Sequence, residues 1–148
     1  MPMLHRIAQL ADRVLPVGVA DAHCDIPCGI YDPHDALQAA QTVIRMTELI
    51  GELEQKGDLT SVQSHNQMTR LVMVKEEHAE DAKRQTLILW TDYFKPPHLE
   101  KYPELHEKVW NAAKLASYTK QHVDMAKAQE LKAAIQEIGD IFWETKNA

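Results

Sequence analysis

Apolar residues recur along this chain at intervals of three and four, the spacing that gathers side chains on one face of a helix. Leu4, Ile7, Ala8, Leu10, Ala11, Val14 and Leu15 follow it first and predict a short amphipathic helix over residues 3 to 15, stopped by Pro16. Asp32 and Pro33 then read as an N-cap and a first helical residue, opening a helix expected from Pro33 to about Lys56, where Gly57 ends it. Its inward face is Leu37, Ala40, Val43, Ile44, Ile50 and Leu53. Thr60 or Ser61 caps a second, longer helix expected to reach about Phe94, before Pro96-Pro97. Val62, Met68, Leu71, Val72, Val74, Ala79, Ala82, Thr86, Leu89, Trp90 and Tyr93 mark its buried stripe. The stretch "KPPHLEKYPELH" reads as an extended turn, and Pro103 opens a third helix with Leu105, Val109, Ala112, Ala113 and Ala116 as its apolar side. A fourth helix is expected from about Asp124 to Lys146 through Leu131, Ala134, Ile135, Ile138, Ile141 and Phe142, with the break between the last two near Ser117 to Val123. Four long helices with short links predict an all-α fold, an antiparallel four-helix bundle over residues 32 to 148.

Composition agrees with that pattern. The chain has 148 residues, enough for one domain that buries roughly two-thirds of the surface its unfolded chain exposes. Only 5 glycines and 7 prolines interrupt it, which favours helices over many short strands. A formal charge of −6 argues against nucleic acid or an anionic membrane as partner. No run of 18 or more apolar residues is present, so no membrane span is expected. Ala20-Asp21-Ala22 mimics an export cleavage site, but Pro16 and Gly18 interrupt the short apolar stretch before it and Asp12 and Arg13 precede it, so a cytoplasmic location is expected.

The unusual chemistry is concentrated in "ADAHCDIPCGIY", residues 20 to 31, which holds both cysteines of the chain directly behind a histidine. Two cysteines are too few for a Cys₄ zinc site, and their C-x-x-x-C spacing is not that of a thioredoxin motif. They can form a disulfide, or, if reduced, hold one metal together with nearby nitrogen donors. The second option gains force if His23 begins a mature chain. Its free α-amine, the Cys24 amide nitrogen and the Cys24 thiolate then form two fused chelate rings, and Pro27 can turn the chain so that the Cys28 thiolate takes a fourth corner. The His23 imidazole reaches an axial position. A square-planar N₂S₂ set favours nickel(II) or copper(II), and because copper(II) tends to oxidise free thiolates, nickel fits better. Thiolate and amidate donors also lower the potential of trivalent nickel, which suits one-electron chemistry on a small oxygen species.

These residues carry a resemblance. "HCDIPCGIYDP" resembles the nickel hook of the nickel superoxide dismutases, and "LWTDYFKPPHLEKYPELH" and "IFWETK" are similar to further signatures of that family, in the same order. The resemblance implies a homohexamer of four-helix bundles, one nickel ion per subunit, and superoxide as substrate. It implies that residues 1 to 22 are a propeptide removed by a dedicated peptidase, and that residues 23 to 31 form the nickel hook. His23, Cys24 and Cys28 match the metal ligands, and Tyr31, with Tyr93 behind it, matches the tyrosines screening the open axial face. Asp25 and Lys95 match positions at the substrate entrance. Where other members carry a glutamate and an arginine around the axial imidazole, this chain aligns Ala39 and His78, and His78, Glu76, Glu77 or another subunit are the candidates to supply that surround.

The other histidines, His5, His34, His65, His98, His106 and His122, read as surface or interface residues, and Trp90, Trp110 and Trp143 as packing residues. Two further hypotheses stand beside a dismutase: a nickel or copper store without turnover, and a structural bundle with a disulfide.

Overall fold

The computed structural model describes residues 29 to 57 and 59 to 147. The helix expected over residues 3 to 15, and the hook residues His23, Cys24, Asp25, Pro27 and Cys28, lie outside the described residues. Four long helices dominate: α1 (His34–Gln55), α2 (Val62–Ile88), α4 (Leu105–Gln121) and α5 (Met125–Lys146). A π-helical turn, Leu89–Tyr93, ends α2, and a short α3 (Pro96–Lys101) follows it. There is no strand among the described residues, and no described helix is long and apolar enough to cross a membrane.

Each long helix packs on the next, and α5 closes on α1. Cross-links show that neighbours run antiparallel. Between α2 and α4, Lys83 Nζ donates to Ser117 Oγ while the rings of Trp90 and His106 sit 5.5 Å apart, so rising numbers on one helix meet falling numbers on the other. Between α1 and α5, Lys132 Nζ reaches Gln41 Oε1 at 2.7 Å, and a Cβ on Gly139 would lie 3.3 Å from Pro33 Cβ. Gly139 thus lets the start of α1 approach α5.

Local sequence explains the helix ends. The first long helix starts at His34 with Pro33 at its N-cap, one residue later than expected, and Asp32 Oδ1 accepts the His34 amide at 2.7 Å, while Asp124 Oδ1 accepts the Lys127 amide at 3.0 Å at the start of α5. Ser61, one of the two residues expected to open the second helix, does so by accepting the Ser64 amide. The core holds Ala36, Ala40, Leu105, Val109, Leu131, Ile135, Ile138 and Phe142, and burial of each large apolar side chain contributes about 1.5–3 kcal/mol.

Several boundaries differ from the sequence reading. The second helix is not uniformly α-helical to Phe94, because its last turn widens into the π-helix. Part of "KPPHLEKYPELH" is helical, since Pro96 and Pro97 occupy the first two positions of α3, where a missing amide donor costs nothing. Pro103 lies in the turn ahead of α4, which starts at Leu105, and α4 continues through Ser117 to Gln121, leaving a shorter break than expected. Val62, assigned to the buried stripe, is 85% exposed. The buried face of α2 begins only at Lys75, beside the end of α4, so the earlier turns of this 27-residue helix outrun the 17-residue α4.

Lys75 itself is 2% exposed. Its ammonium donates to the carbonyls of Thr119, Lys120 and His122, using all three protons on the carbonyls that the end of α4 leaves without amide partners. The negative end of the helix dipole favours the cation there. Burial acts the other way and pushes the Lys75 pKa below its usual range, with Glu76 opposing that shift. Replacing Lys75 by methionine should leave these carbonyls unpaired and cost about 2 kcal/mol. In a thermal melt the expected loss is roughly 4–8 °C, and an unchanged melting temperature would show that the carbonyls find other partners.

Candidate metal centre

The site is built where the start of α1, the π-helical turn and the end of α5 meet. Gly29, the first described residue, has φ +96°, a left-handed backbone that a side chain would strain. No atom lies within 4 Å of where its Cβ would be, so the backbone conformation, not crowding, calls for glycine. This turn carries the chain from Cys28 directly into the wall of a cavity of about 360 Å³, lined by Gly29, Tyr31, Asp92, Tyr93, Lys95, His98, Thr145 and Lys146.

The π-helix sets the second wall. The Phe94 amide donates to Leu89 O at 3.1 Å, five residues back, and one residue added to a turn rotates the following side chains by about 100° relative to an uninterrupted helix. Phe94 and Lys95 then turn extended, as the residue before Pro96 is forced to do. Tyr93 therefore sits at the last helical position before a sharp exit.

The two tyrosines are neighbours. Tyr31 is 4% exposed, and its ring centre lies 5.9 Å from that of Tyr93 at 57°. Tyr93 is held on several sides: its ring is 4.4 Å from Phe142, 5.2 Å from Phe94, and stacked 5.6 Å from His98. Its hydroxyl is 2.9 Å from Thr145 Oγ1, and Thr145 donates its own proton to Phe142 O at 2.8 Å, so the Tyr93 hydroxyl is the donor. His98 Nδ1 accepts the Lys95 amide at 3.2 Å, which fixes the backbone under the lysine. Lys95 is exposed, and no ion pair among the described residues engages it.

Of the residues singled out in the sequence, Tyr31, Tyr93 and Lys95 are thus brought together. His23, Cys24, Asp25, Pro27 and Cys28 fall outside the described residues, immediately ahead of Gly29 in the chain. His78 does not line this cavity; it is half-buried on α2, its Nδ1 donating to Val74 O at 2.9 Å. Ala39, its counterpart in the alignment, is buried in the core that includes Tyr31. Sequence reasoning passed over Asp92, His98, Thr145 and Lys146 as site residues, although all four lie in the two later signature stretches.

The family model described as nickel-containing superoxide dismutase matches residues 18–146. A superoxide dismutase [Ni] of Streptomyces coelicolor is 43% identical over 133 residues, covering 90% of this chain and 95% of the relative. One from Streptomyces seoulensis is 45% identical over 127 residues, covering 86% and 90%. The fold is similar to a crystal structure of Ni-containing superoxide dismutase with Ni-ligation corresponding to the state after partial X-ray-induced reduction, with TM-score 0.74, 41% identity, and coverage of 85% of this chain and all of the other. A structure with Ni-ligation corresponding to the oxidised state gives TM-score 0.72 at 44% identity over 85% of this chain and all of the other. By its match along most of its length, and by relatives well above 30% identity, this chain belongs to the nickel-containing superoxide dismutase family.

Proposed function

We propose that the protein converts superoxide to dioxygen and hydrogen peroxide at a nickel ion held by His23, Cys24 and Cys28, after removal of residues 1 to 22 by a dedicated peptidase. The observation that carries this reading is the cavity that opens one residue beyond Cys28, walled by two packed tyrosines and edged by lysine.

The donor set fits the metal. Among the described residues no group of three or more His, Cys, Asp or Glu side chains is placed to hold an ion. Both cysteines precede Gly29, and the thiolates and nitrogens of residues 23 to 28 form the set that suits nickel. Bound there, nickel would supply the one-electron couple between divalent and trivalent states that dismutation requires.

The chain's own residues do the rest. Lys95 at the rim attracts the anion, with Asp25 proposed beside it at the entrance. Tyr31 and Tyr93 limit what can enter, and the restraints on Tyr93 keep that barrier in one arrangement rather than letting it swing. His78, which does not line the cavity, is proposed with Glu76, Glu77 or another subunit as a group that could support the His23 imidazole. A second copy of the chain is proposed to cover the hook within a homohexamer, and a cytoplasmic location is proposed.

Metal analysis of the trimmed protein should find one nickel per subunit, and the loaded protein should consume superoxide catalytically. Full nickel occupancy without turnover would favour a metal store instead.

A further inference from the structure

Lys146 closes α5, and its ammonium donates to the backbone carbonyl of Tyr31 at 2.9 Å. The same ammonium lies 5.1 Å from the centre of the Phe142 ring and 5.0 Å from that of Trp143. A carbonyl and two aromatic faces therefore fix a side chain that would otherwise sample many rotamers in solvent. None of the three partners is a carboxylate, and no ion pair among the described residues engages Lys146, so these contacts hold its positive charge in place without neutralising it. It lines the same cavity as Lys95, and among the described lining residues Asp92 is the carboxylate that faces these two lysines.

The position of the accepting carbonyl matters. Tyr31 precedes α1, outside the helical hydrogen-bond ladder, whose first bond here runs from the Leu37 amide to Pro33 O. The Lys146 bond ties this pre-helical segment to a residue 115 positions away in the chain. The segment leads from Gly29 to the buried ring of Tyr31, so whatever holds its backbone also sets the tyrosine wall.

We propose that Lys146 is a positioning residue that docks the Tyr31 segment onto α5, and that the same fixed ammonium acts with Lys95 as a second positive charge drawing an anionic substrate into the cavity. The steering half rests on the dismutase reading, whereas the docking half rests on geometry alone.

Two readouts separate them, both on nickel-loaded protein beginning at His23: parent, Lys146→Met and Lys146→Arg, with Lys95→Met as a reference for loss of one entrance charge. In Lys146→Met, hydrogen exchange of the backbone amides from Gly29 to Asp32 should speed up about tenfold or more, and Lys146→Arg, which keeps a cationic donor, should stay near the parent. At low ionic strength kcat/KM of Lys146→Met should fall by about three- to tenfold. Its salt dependence should be shallower than the parent's, as in Lys95→Met, and the difference should close at high salt. Lys146→Arg should recover the salt dependence. Unchanged exchange in Lys146→Met overturns docking, and an unchanged salt dependence overturns steering. If the parent itself fails to turn over superoxide, the dismutase reading falls together with steering, while exchange still decides docking.

Discussion

Nickel-loaded protein that begins at His23 should dismute superoxide, and nickel-loaded protein that begins at Met1 should not, with a difference of at least about 10³-fold. The reason lies in one nitrogen. When Ala22 precedes His23, the nitrogen of residue 23 is a delocalised peptide amide that can bind a metal only after losing its proton, so the planar set would need a second amidate in place of a neutral amine. Cleavage turns it into a primary amine, which closes a five-membered ring with the Cys24 amide nitrogen and raises the donor count at the metal. Assaying a chain cut after Ala22 and one left intact side by side, each brought to the same nickel content, isolates that step. Equal activity in both forms would mean that the metal is held some other way and that residues 1 to 22 have no part in switching it on.

The second large effect is expected from the sulfurs. Cys24→Ser and Cys28→Ser each replace a donor that ionises near neutral pH by a hydroxyl that does not. Each variant should lose nickel under dialysis that the parent survives, and should lose activity by at least about 10³-fold. The bundle should be spared. Its core is assembled from α1, α2, α4 and α5, and both cysteines precede α1 in the chain. Metal-free parent and variants should therefore melt within roughly 2 °C of one another. Retention of nickel and activity by either serine variant would exclude the two-sulfur ligand set. A fall in melting temperature under reducing conditions, seen in the parent and absent from the variants, would instead point to a structural disulfide.

Much of the fold is legible in the sequence because burial in a helical bundle leaves a direct periodic trace. The α1 face is the clearest case: Ala40, Val43, Ile44, Ile50 and Leu53 are all buried, and Leu37 packs against the same core. What periodicity does not encode is how far each neighbour reaches. Val62 continues the stripe of α2 yet lies beyond the end of α4, where no helix covers it. Nor does it encode a polar residue drawn inward by a partner's backbone. Lys75 reads as a surface charge, and only the carbonyls ending α4, 44 to 47 residues further along the chain, make its burial tolerable. The π-helical turn was hidden for a related reason, since one extra residue in a turn changes backbone bonding without changing composition.

The candidate site divides similarly. Tyr31, Tyr93 and Lys95 were found because they lie in distinctive motifs, and the fold brings them to one cavity. His98 reads in the sequence as a surface or interface histidine, whereas its stacking on Tyr93 and its bond to the Lys95 amide make it part of the wall. Thr145 and Lys146 lie in "IFWETK", which was noticed as a signature without a role for either side chain. Their roles depend on contacts spanning 52 and 115 residues, which no local pattern can display.

The most direct test of the hook is nickel-edge X-ray absorption on the chain cut to His23, alongside the uncut chain carrying the same amount of nickel. Two sulfur scatterers with nitrogen donors in a planar arrangement should appear in the cut chain, and that planar site should be missing from the uncut one. A cut chain whose nickel is surrounded only by oxygen and nitrogen, or an uncut chain with an identical spectrum, would contradict a metal centre made by freeing the His23 amine.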